Sequence, residues 1–101
     1  MQEQNASGGL VAVIMRIEGN VQGVGFRNWM QRLAGQLALT GWVRNRRDGS
    51  VEAMVCGPRT SVDEAVARAK VGPRSAKVTA VAVAAAEPES AAQGFEVLPG
   101  V

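Results

Sequence analysis

A glycine-containing run, VQGVGFR (residues 21–27, here called the glycine loop), combines the groups that bind a small anion. Gly23 and Gly25 let the backbone turn tightly and expose its N–H groups. The run joins a strand-like stretch to a helix-like one, and a helix start adds unpaired N–H donors and the positive end of a dipole. Arg27 places a permanent, forked cation at the same point. These groups together predict a socket for a dianion such as phosphate.

The same run also has a simpler interpretation as an ordinary turn between a strand and a helix. It is not a P-loop, because no Lys-Ser/Thr pair follows the glycines, and Asn28 occupies the third glycine position of a dinucleotide-binding motif. Two glycines alone therefore favour the plain turn. Arg27 argues for the anion site, because a cation opposes the helix dipole unless an anion binds there.

Asn45 is the second candidate for chemistry. It lies two positions after Val43 in a strand-like stretch, so both side chains point to the same face of a sheet. An asparagine amide both donates and accepts, and so can hold a water with a lone pair facing an electrophile. The alternative is a turn residue beside the tight-turn pair Asp48-Gly49. Spacing alone leaves both interpretations open.

Composition narrows the chemistry further. The chain of 101 residues is the size of one domain, and its net charge of +2 is too small for a nucleic-acid-coating surface. It contains no histidine and a single cysteine, Cys56, which excludes histidine triads and cysteine-rich zinc sites. We therefore expect no metal and no cofactor. Catalysis would have to use arginine, asparagine, backbone amides and water.

Hydrophobic periodicity predicts seven elements in one domain over residues 10–101. We expect strands over residues 10–18, 42–46, 50–56, 77–84 and 94–98, and helices starting at residue 26 and at a capping box over residues 61–64. The order β-α-β-β-α-β plus a terminal strand indicates an α+β, ferredoxin-like sandwich: an antiparallel sheet with two helices on one face.

The remaining segments have simpler interpretations. Residues 1–9 are predicted to be a disordered tail without the features of a secretory signal, and no stretch is long enough to span a membrane, so we expect a cytoplasmic protein. Arg44, Arg46 and Arg47 are predicted to form a solvated basic edge. An RNA-binding sheet would need exposed aromatic residues on its central strands, and residues 51–55 contain none.

Taken together, these motifs resemble the acylphosphatase family. The resemblance covers nearly all of residues 11–98, and the matching pieces keep the family's order and spacing. They are VQGVGFR (21–27), GWVRN (41–45), DGSVE (48–52), GP (57–58), GPRSAKV (72–78) and GFEVL (94–98).

The resemblance implies an enzyme that hydrolyses the carboxyl–phosphate bond of acyl phosphates, releasing a carboxylate and inorganic phosphate. It implies a small cytoplasmic monomer on a ferredoxin-like fold, with a small-molecule substrate and without metal, nucleic acid or membrane partners. Arg27 corresponds to the family's catalytic, phosphate-binding arginine, and Asn45 to the asparagine that orients the attacking water. The phosphate-binding positions carried over are Val21, Gln22, Gly23, Val24, Gly25, Phe26 and Arg27.

Two positions depart from the family pattern. Asn20 stands where a basic residue is usual, which removes a charge near the glycine loop. Ala38 stands where glycine is common at the end of the first helix. The alternative function is a module that binds phosphate or an acyl phosphate without turnover; simple binding, however, would not need Asn45.

Overall fold

The computed structural model describes residues 9–88 and 94–101. The predicted disordered tail lies outside the described residues except for Gly9. Part of the predicted loop before the last strand, residues 89–93, also lies outside them.

The described chain folds as the predicted ferredoxin-like sandwich, and its elements follow the predicted order. The elements are β1 (Val11–Asn20), α1 (Phe26–Gln36), β2 (Thr40–Asn45), β3 (Val51–Gly57), α2 (Arg59–Ala69), β4 (Lys77–Ala86) and β5 (Phe95–Val97). None of the helices in the described ranges is long and apolar enough to cross a membrane.

The sheet has the strand order β4-β1-β3-β2-β5. The central strand pair is β1 with β3, and β1, β3, β2 and β4 are joined by antiparallel ladders. The short strand β5 instead runs parallel to β2 at the opposite edge, with Gly41 facing Phe95 and Val43 facing Val97. This order brings the ends of β1 and β2 close together, because only β3 lies between them.

The main core lies between the helices and one face of the sheet. Met15 and Ile17 on β1 are fully buried together with Val43 on β2, as the alternation of each strand predicts. From α1, Phe26 and Met30 pack into the same cluster. The inward stripe of α1 thereby fixes where the helix begins relative to the sheet.

The predicted capping box at the start of α2 is wrong. The helix begins at Arg59 with Pro58 as its N-cap residue, and no side chain caps it. Ser61 therefore lies inside the first turn, and Glu64 pairs with Arg68 instead of reaching back. The reason is that Gly57-Pro58 ends β3 abruptly, and a helix can start directly after the fixed φ of proline.

The conformation at the end of α1 explains why glycine is common at the position of Ala38. Ala38 has φ 57°, the left-handed conformation that glycine adopts most easily. The backbone N–H of Ala38 donates to the carbonyl of Gly35, and that of Leu39 donates to the carbonyl of Ala34. This is a Schellman motif, in which glycine is the usual residue at the left-handed position.

We therefore predict that Ala38→Gly stabilises the protein by about 1 kcal/mol, because it relieves the left-handed strain of a residue with a Cβ atom. The gain is partly offset by the greater flexibility of glycine in the unfolded chain. Urea unfolding of both proteins measures the difference. Equal or lower stability of the variant would contradict the strain argument.

Candidate active site

The glycine loop connects the end of β1 to the N-terminus of α1, which therefore lies at that end of the sheet. Gly23 and Gly25 have φ values of 73° and 81°, and Gly25 is the N-cap residue of the helix. No side chain caps this helix, and its first turn contains no acidic residue. The first N–H groups of a helix have no partners within it. They are therefore available to an external acceptor.

A small cavity of about 70 Å³ lies at this helix start. It brings together Arg27 and Asn45, the two residues singled out from the sequence. The cavity is lined by Val21, Gly23, Gly25, Phe26, Arg27, Asn28 and Asn45. Of the predicted phosphate-binding positions, Gln22 and Val24 do not line it. Asn28 lines it without having been predicted, although its place in the first helical turn is the signal that would have suggested it.

Arg27 contributes a charge that the described protein does not balance. It lies in the first turn of α1, at the positive end of the helix dipole, and is partly exposed. Within residues 9–88 and 94–101 it forms no salt bridge. Two positive features therefore face one cavity, an arrangement that a bound anion would stabilise.

Asn45 contributes a buried acceptor. It is the last residue of β2, paired with Val51, and Val43 on the same face is fully buried, so it points toward the helices as predicted. Its side-chain Oδ1 is buried and has no hydrogen-bond partner in the described part of the chain. A buried acceptor of this kind is normally satisfied by a water or a ligand. The backbone of Asn45 is anchored, since its carbonyl accepts from the N–H of Val101 at 3.0 Å.

The glycine loop is held from two sides by side-chain hydrogen bonds. Gln22 Nε2 donates to the carbonyls of Arg46 and Ser50 at 2.7 and 2.9 Å. On the other side, Ser75 Oγ donates to the carbonyl of Val24 at 2.6 Å. The role of Ser75 was not predicted; its place in the GPRSAKV motif was the only signal.

Behind Asn45, on the opposite face of the sheet, charged residues brace the β2–β3 hairpin. Glu52 accepts from Arg44 Nε at 2.8 Å and from Arg46 at 3.2 Å, and the Arg44 guanidinium lies 5.0 Å from the Trp42 ring centre. The predicted solvated basic edge is therefore wrong for Arg44 and Arg46, because strand register places Glu52 opposite Arg44 and the Arg46 side chain reaches the same carboxylate. Arg47 is exposed as predicted.

Two carboxyl groups of this hairpin have lowered pKa values. Burial acts to raise the pKa of Glu52, but the hydrogen bonds and charges of Arg44 and Arg46 together lower it below 4.5. The pKa of Asp48 is lowered by hydrogen bonds from the hydroxyl and N–H of Ser50. Both carboxylates thus stay ionised and keep the hairpin in its conformation at neutral pH.

Acidic and cysteine side chains do not gather at the cavity. Among the described residues there is no group of three or more His, Cys, Asp or Glu side chains placed to hold a metal ion. The polar groups that line the cavity are those of Arg27, Asn28, Asn45 and the backbone. They suit an oxyanion and a water.

The sequence profile described as Acylphosphatase matches residues 13–97, which includes every residue of the cavity. The chain belongs to the acylphosphatase family. Its membership agrees with the expectation raised by the six motifs and with the order of its elements.

Individual relatives support the same placement. The chain is 56% identical over 62 residues to an acylphosphatase from Azoarcus sp. (strain BH72), a stretch that spans 61% of this chain and 63% of that relative. It also resembles the crystal structure of acylphosphatase from Bacillus subtilis, with a TM-score of 0.83, 34% identity, and coverage of 87% of this chain and 98% of that one. An acylphosphatase structure from Coxiella burnetii matches with a TM-score of 0.86, 32% identity, and coverage of 94% and 99%.

We predict that Glu52→Gln destabilises the protein by about 1 kcal/mol at pH 7, because Arg44 and Arg46 lose their ionic acceptor. The folded-state pKa of Glu52 is lowered, so its contribution is full above the ordinary value of 4.5 and is lost as the pH falls through the lower folded value. The difference in unfolding free energy between wild type and variant should therefore shrink below pH 4.5.

Urea unfolding at a series of pH values measures this difference. Glu64→Gln is the matched control, because it removes an exposed pair with Arg68 on α2, and such pairs contribute about 0.3–0.5 kcal/mol. A Glu52→Gln effect that is no larger than the control, or that does not change with pH, would contradict the bracing role.

Proposed function

We propose that this protein is an acylphosphatase, which hydrolyses the carboxyl–phosphate bond of an acyl phosphate to a carboxylate and inorganic phosphate without a metal ion. The observation that carries this proposal is the pairing, in one small cavity, of an unbalanced cation with a buried acceptor that has no partner in the described chain. The family membership and the acylphosphatase relatives support it.

In this proposal the phosphate group sits at the N-terminus of α1. The main-chain N–H groups of the glycine loop surround its oxygens, and the Arg27 guanidinium donates to two of them in its fork geometry. These donors are held by the fold before the substrate arrives. They therefore stabilise the charge that spreads over the equatorial oxygens in the transition state without having to reorganise.

Asn45 orients the water that attacks phosphorus. Its buried Oδ1 accepts a hydrogen bond from that water and so turns a lone pair toward the phosphate. The backbone of Asn45 is held by its pairing with Val51 and by the hydrogen bond from the N–H of Val101. The water is therefore held in line with the bond to be broken. Positioning of this kind supplies much of the acceleration in phosphoryl transfer.

The leaving group explains why so few side chains suffice. An acyl phosphate is a mixed anhydride, and the carboxylate released has a pKa of about 4, so it departs without help from a general acid. The water attacks phosphorus directly: its O–P bond forms as the P–O bond to the carboxylate breaks, and the water's proton passes to a phosphate oxygen. No side-chain nucleophile is therefore needed and no phosphoenzyme forms. A chain without histidine is thus adequate for this reaction.

The biological setting that we propose follows the family. We propose a monomer that acts on a small acyl phosphate in the cytoplasm and has no nucleic-acid partner.

The experiment that tests the function is hydrolysis of benzoyl phosphate by the purified protein in EDTA. Rapid hydrolysis is expected. A folded protein that binds phosphate but does not hydrolyse benzoyl phosphate would instead be a phosphate-binding module, and activity that EDTA removes would refute the metal-free mechanism.

For Arg27 we predict that Arg27→Ala lowers kcat/KM by about 10³-fold or more and abolishes measurable phosphate binding, because it removes both charge and fork from the phosphate site. Arg27→Lys should recover only part of the loss, since an ammonium cannot donate in bidentate fashion. Arg32→Ala, on the exposed side of the same helix, is the control and should match the wild type. Full activity of Arg27→Ala would exclude the assigned role.

For Asn45 we predict a different pattern. Asn45→Ala should lower kcat by about 10²- to 10³-fold while leaving the Kd for inorganic phosphate within about threefold, because the phosphate donors are unchanged. Isothermal titration with phosphate and steady-state kinetics separate the two effects. An equal loss of binding and turnover would rule out the water-orienting role.

A further inference from the structure

Gln22 is the member of the glycine loop whose side chain turns away from the cavity. Its amide nitrogen donates to the carbonyl of Arg46 at 2.7 Å and to that of Ser50 at 2.9 Å. Because both partners are carbonyls, only the NH₂ end of the amide can make these bonds, and both of its hydrogens are used. The side chain therefore joins two distant segments of the chain.

Those two carbonyls lie at the mouth of the β2–β3 turn. The N–H of Arg46 donates to the carbonyl of Ser50 at 2.9 Å, which closes the turn, and Ser50 is itself buried with 4% of its surface exposed. Asn45 directly precedes Arg46. The side-chain amide of Gln22 thus binds the residue that directly follows Asn45, whose own side chain reaches the cavity.

We propose that Gln22 is a positioning residue, which couples the phosphate-binding loop to the water-orienting Asn45 and so sets the distance between bound phosphate and water. This inference rests on the proposed function. The glycine loop and the end of β2 approach each other from different elements, and the two hydrogen bonds of Gln22 fix their separation. The bond from Ser75 to Val24 holds the opposite side of the loop and does not reach the hairpin.

Of the side chains of similar length, only glutamine can donate two hydrogen bonds to the two carbonyls at position 22 without adding a charge. Glutamate lacks the two donors and places a negative charge against two carbonyls, while methionine keeps the length without any hydrogen bond. The effect should fall on turnover rather than on phosphate affinity. The groups that bind phosphate remain in place, but a shift of about 1 Å between reacting groups lowers rates by about 10²-fold.

The first test compares Gln22→Met with Gln31→Met. Gln31 on α1 also donates to a carbonyl, that of Phe95 at 3.1 Å, but lies outside the site. We expect Gln22→Met to lower kcat by about 10- to 100-fold with a phosphate Kd within about threefold of wild type. The control should retain wild-type kcat. Unchanged kcat for Gln22→Met, or an equal loss in kcat and phosphate affinity, would overturn the proposal.

A double-mutant cycle with Asn45→Ala identifies the route of the effect. If Gln22 acts through Asn45, then Gln22→Met should lower kcat by less than about threefold in the Asn45→Ala background, because the residue that it positions is already gone. A full, additive loss in that background would show that Gln22 acts on the phosphate or on the fold in general, and would overturn the proposal.

Gln22→Glu provides a test that does not depend on the stability of the methionine variant. At neutral pH its carboxylate repels the two carbonyls, whereas the protonated acid can donate to one of them. Burial against carbonyls raises the pKa of such a group. The ratio of kcat for Gln22→Glu to that of wild type should therefore rise as the pH falls from 7 to about 5. A kcat ratio that stays constant with pH would contradict the positioning role of Gln22.

A readout without turnover separates this proposal from the proposed function. In the wild type, inorganic phosphate should shift the ¹⁵N side-chain amide resonance of Asn45; in Gln22→Met that shift should be reduced, although the protein still binds phosphate. If the wild type does not hydrolyse benzoyl phosphate but the Asn45 shift is still smaller in Gln22→Met, the proposed function is refuted and the coupling between Gln22 and Asn45 stands. An equal Asn45 shift in both proteins would refute the coupling alone.

Discussion

The site depends on how the chain leaves the sheet. Between the end of β1 at Asn20 and the start of α1 at Phe26, the backbone must reverse so that the helix packs back on the same face. Two residues at positive φ make that reversal possible. The same reversal leaves the first N–H groups of α1 uncapped at the edge of the core. The site is thus a consequence of how this connection reverses the chain.

This geometry places like charges together. The positive end of α1 and the guanidinium of Arg27 face one cavity, and the described chain offers no carboxylate against them. Such an arrangement is unfavourable for the empty protein and favourable for an anion-bound one. Packing of Phe26 and Met30 into the core supplies the stability that lets the helix keep this end exposed to a ligand.

The second half of the site comes from a hairpin whose conformation is determined on its other face. Glu52 holds Arg44 and Arg46 on the side away from the cavity, and Asp48 closes the turn through Ser50. These contacts leave Asn45 with its side chain toward the helices. Charge pairing outside the cavity thereby reinforces the orientation that Asn45 already shares with the buried Val43 on the same face of the strand.

The sequence by itself determined the order of elements and the glycine loop, and it singled out Arg27 and Asn45, which the structure brings to one cavity. Hydrophobic periodicity and the alternation of side chains along a strand are local properties. The alternation of β1 and the apolar stripe of α1 follow from which side chains avoid water. The face that Asn45 occupies follows from its spacing of two residues from Val43. The strand ends were predicted less well, since they depend on where a neighbouring strand stops pairing, as at the bulge between Glu18 and Gly19.

Only the tertiary structure decided the contacts between distant segments. The parallel pairing of β5 with β2, the bridge from Gln22 to Arg46 and Ser50, and the bond from Ser75 to Val24 each join residues far apart in sequence. Local patterns misled where a longer-range constraint was stronger. At α2 the helix begins directly after Gly57-Pro58, and not at the predicted capping box. On β2 the arginines predicted to be solvated are paired with Glu52. Sequence spacing specifies which side of an element a residue occupies, whereas packing of the whole chain specifies what lies opposite it.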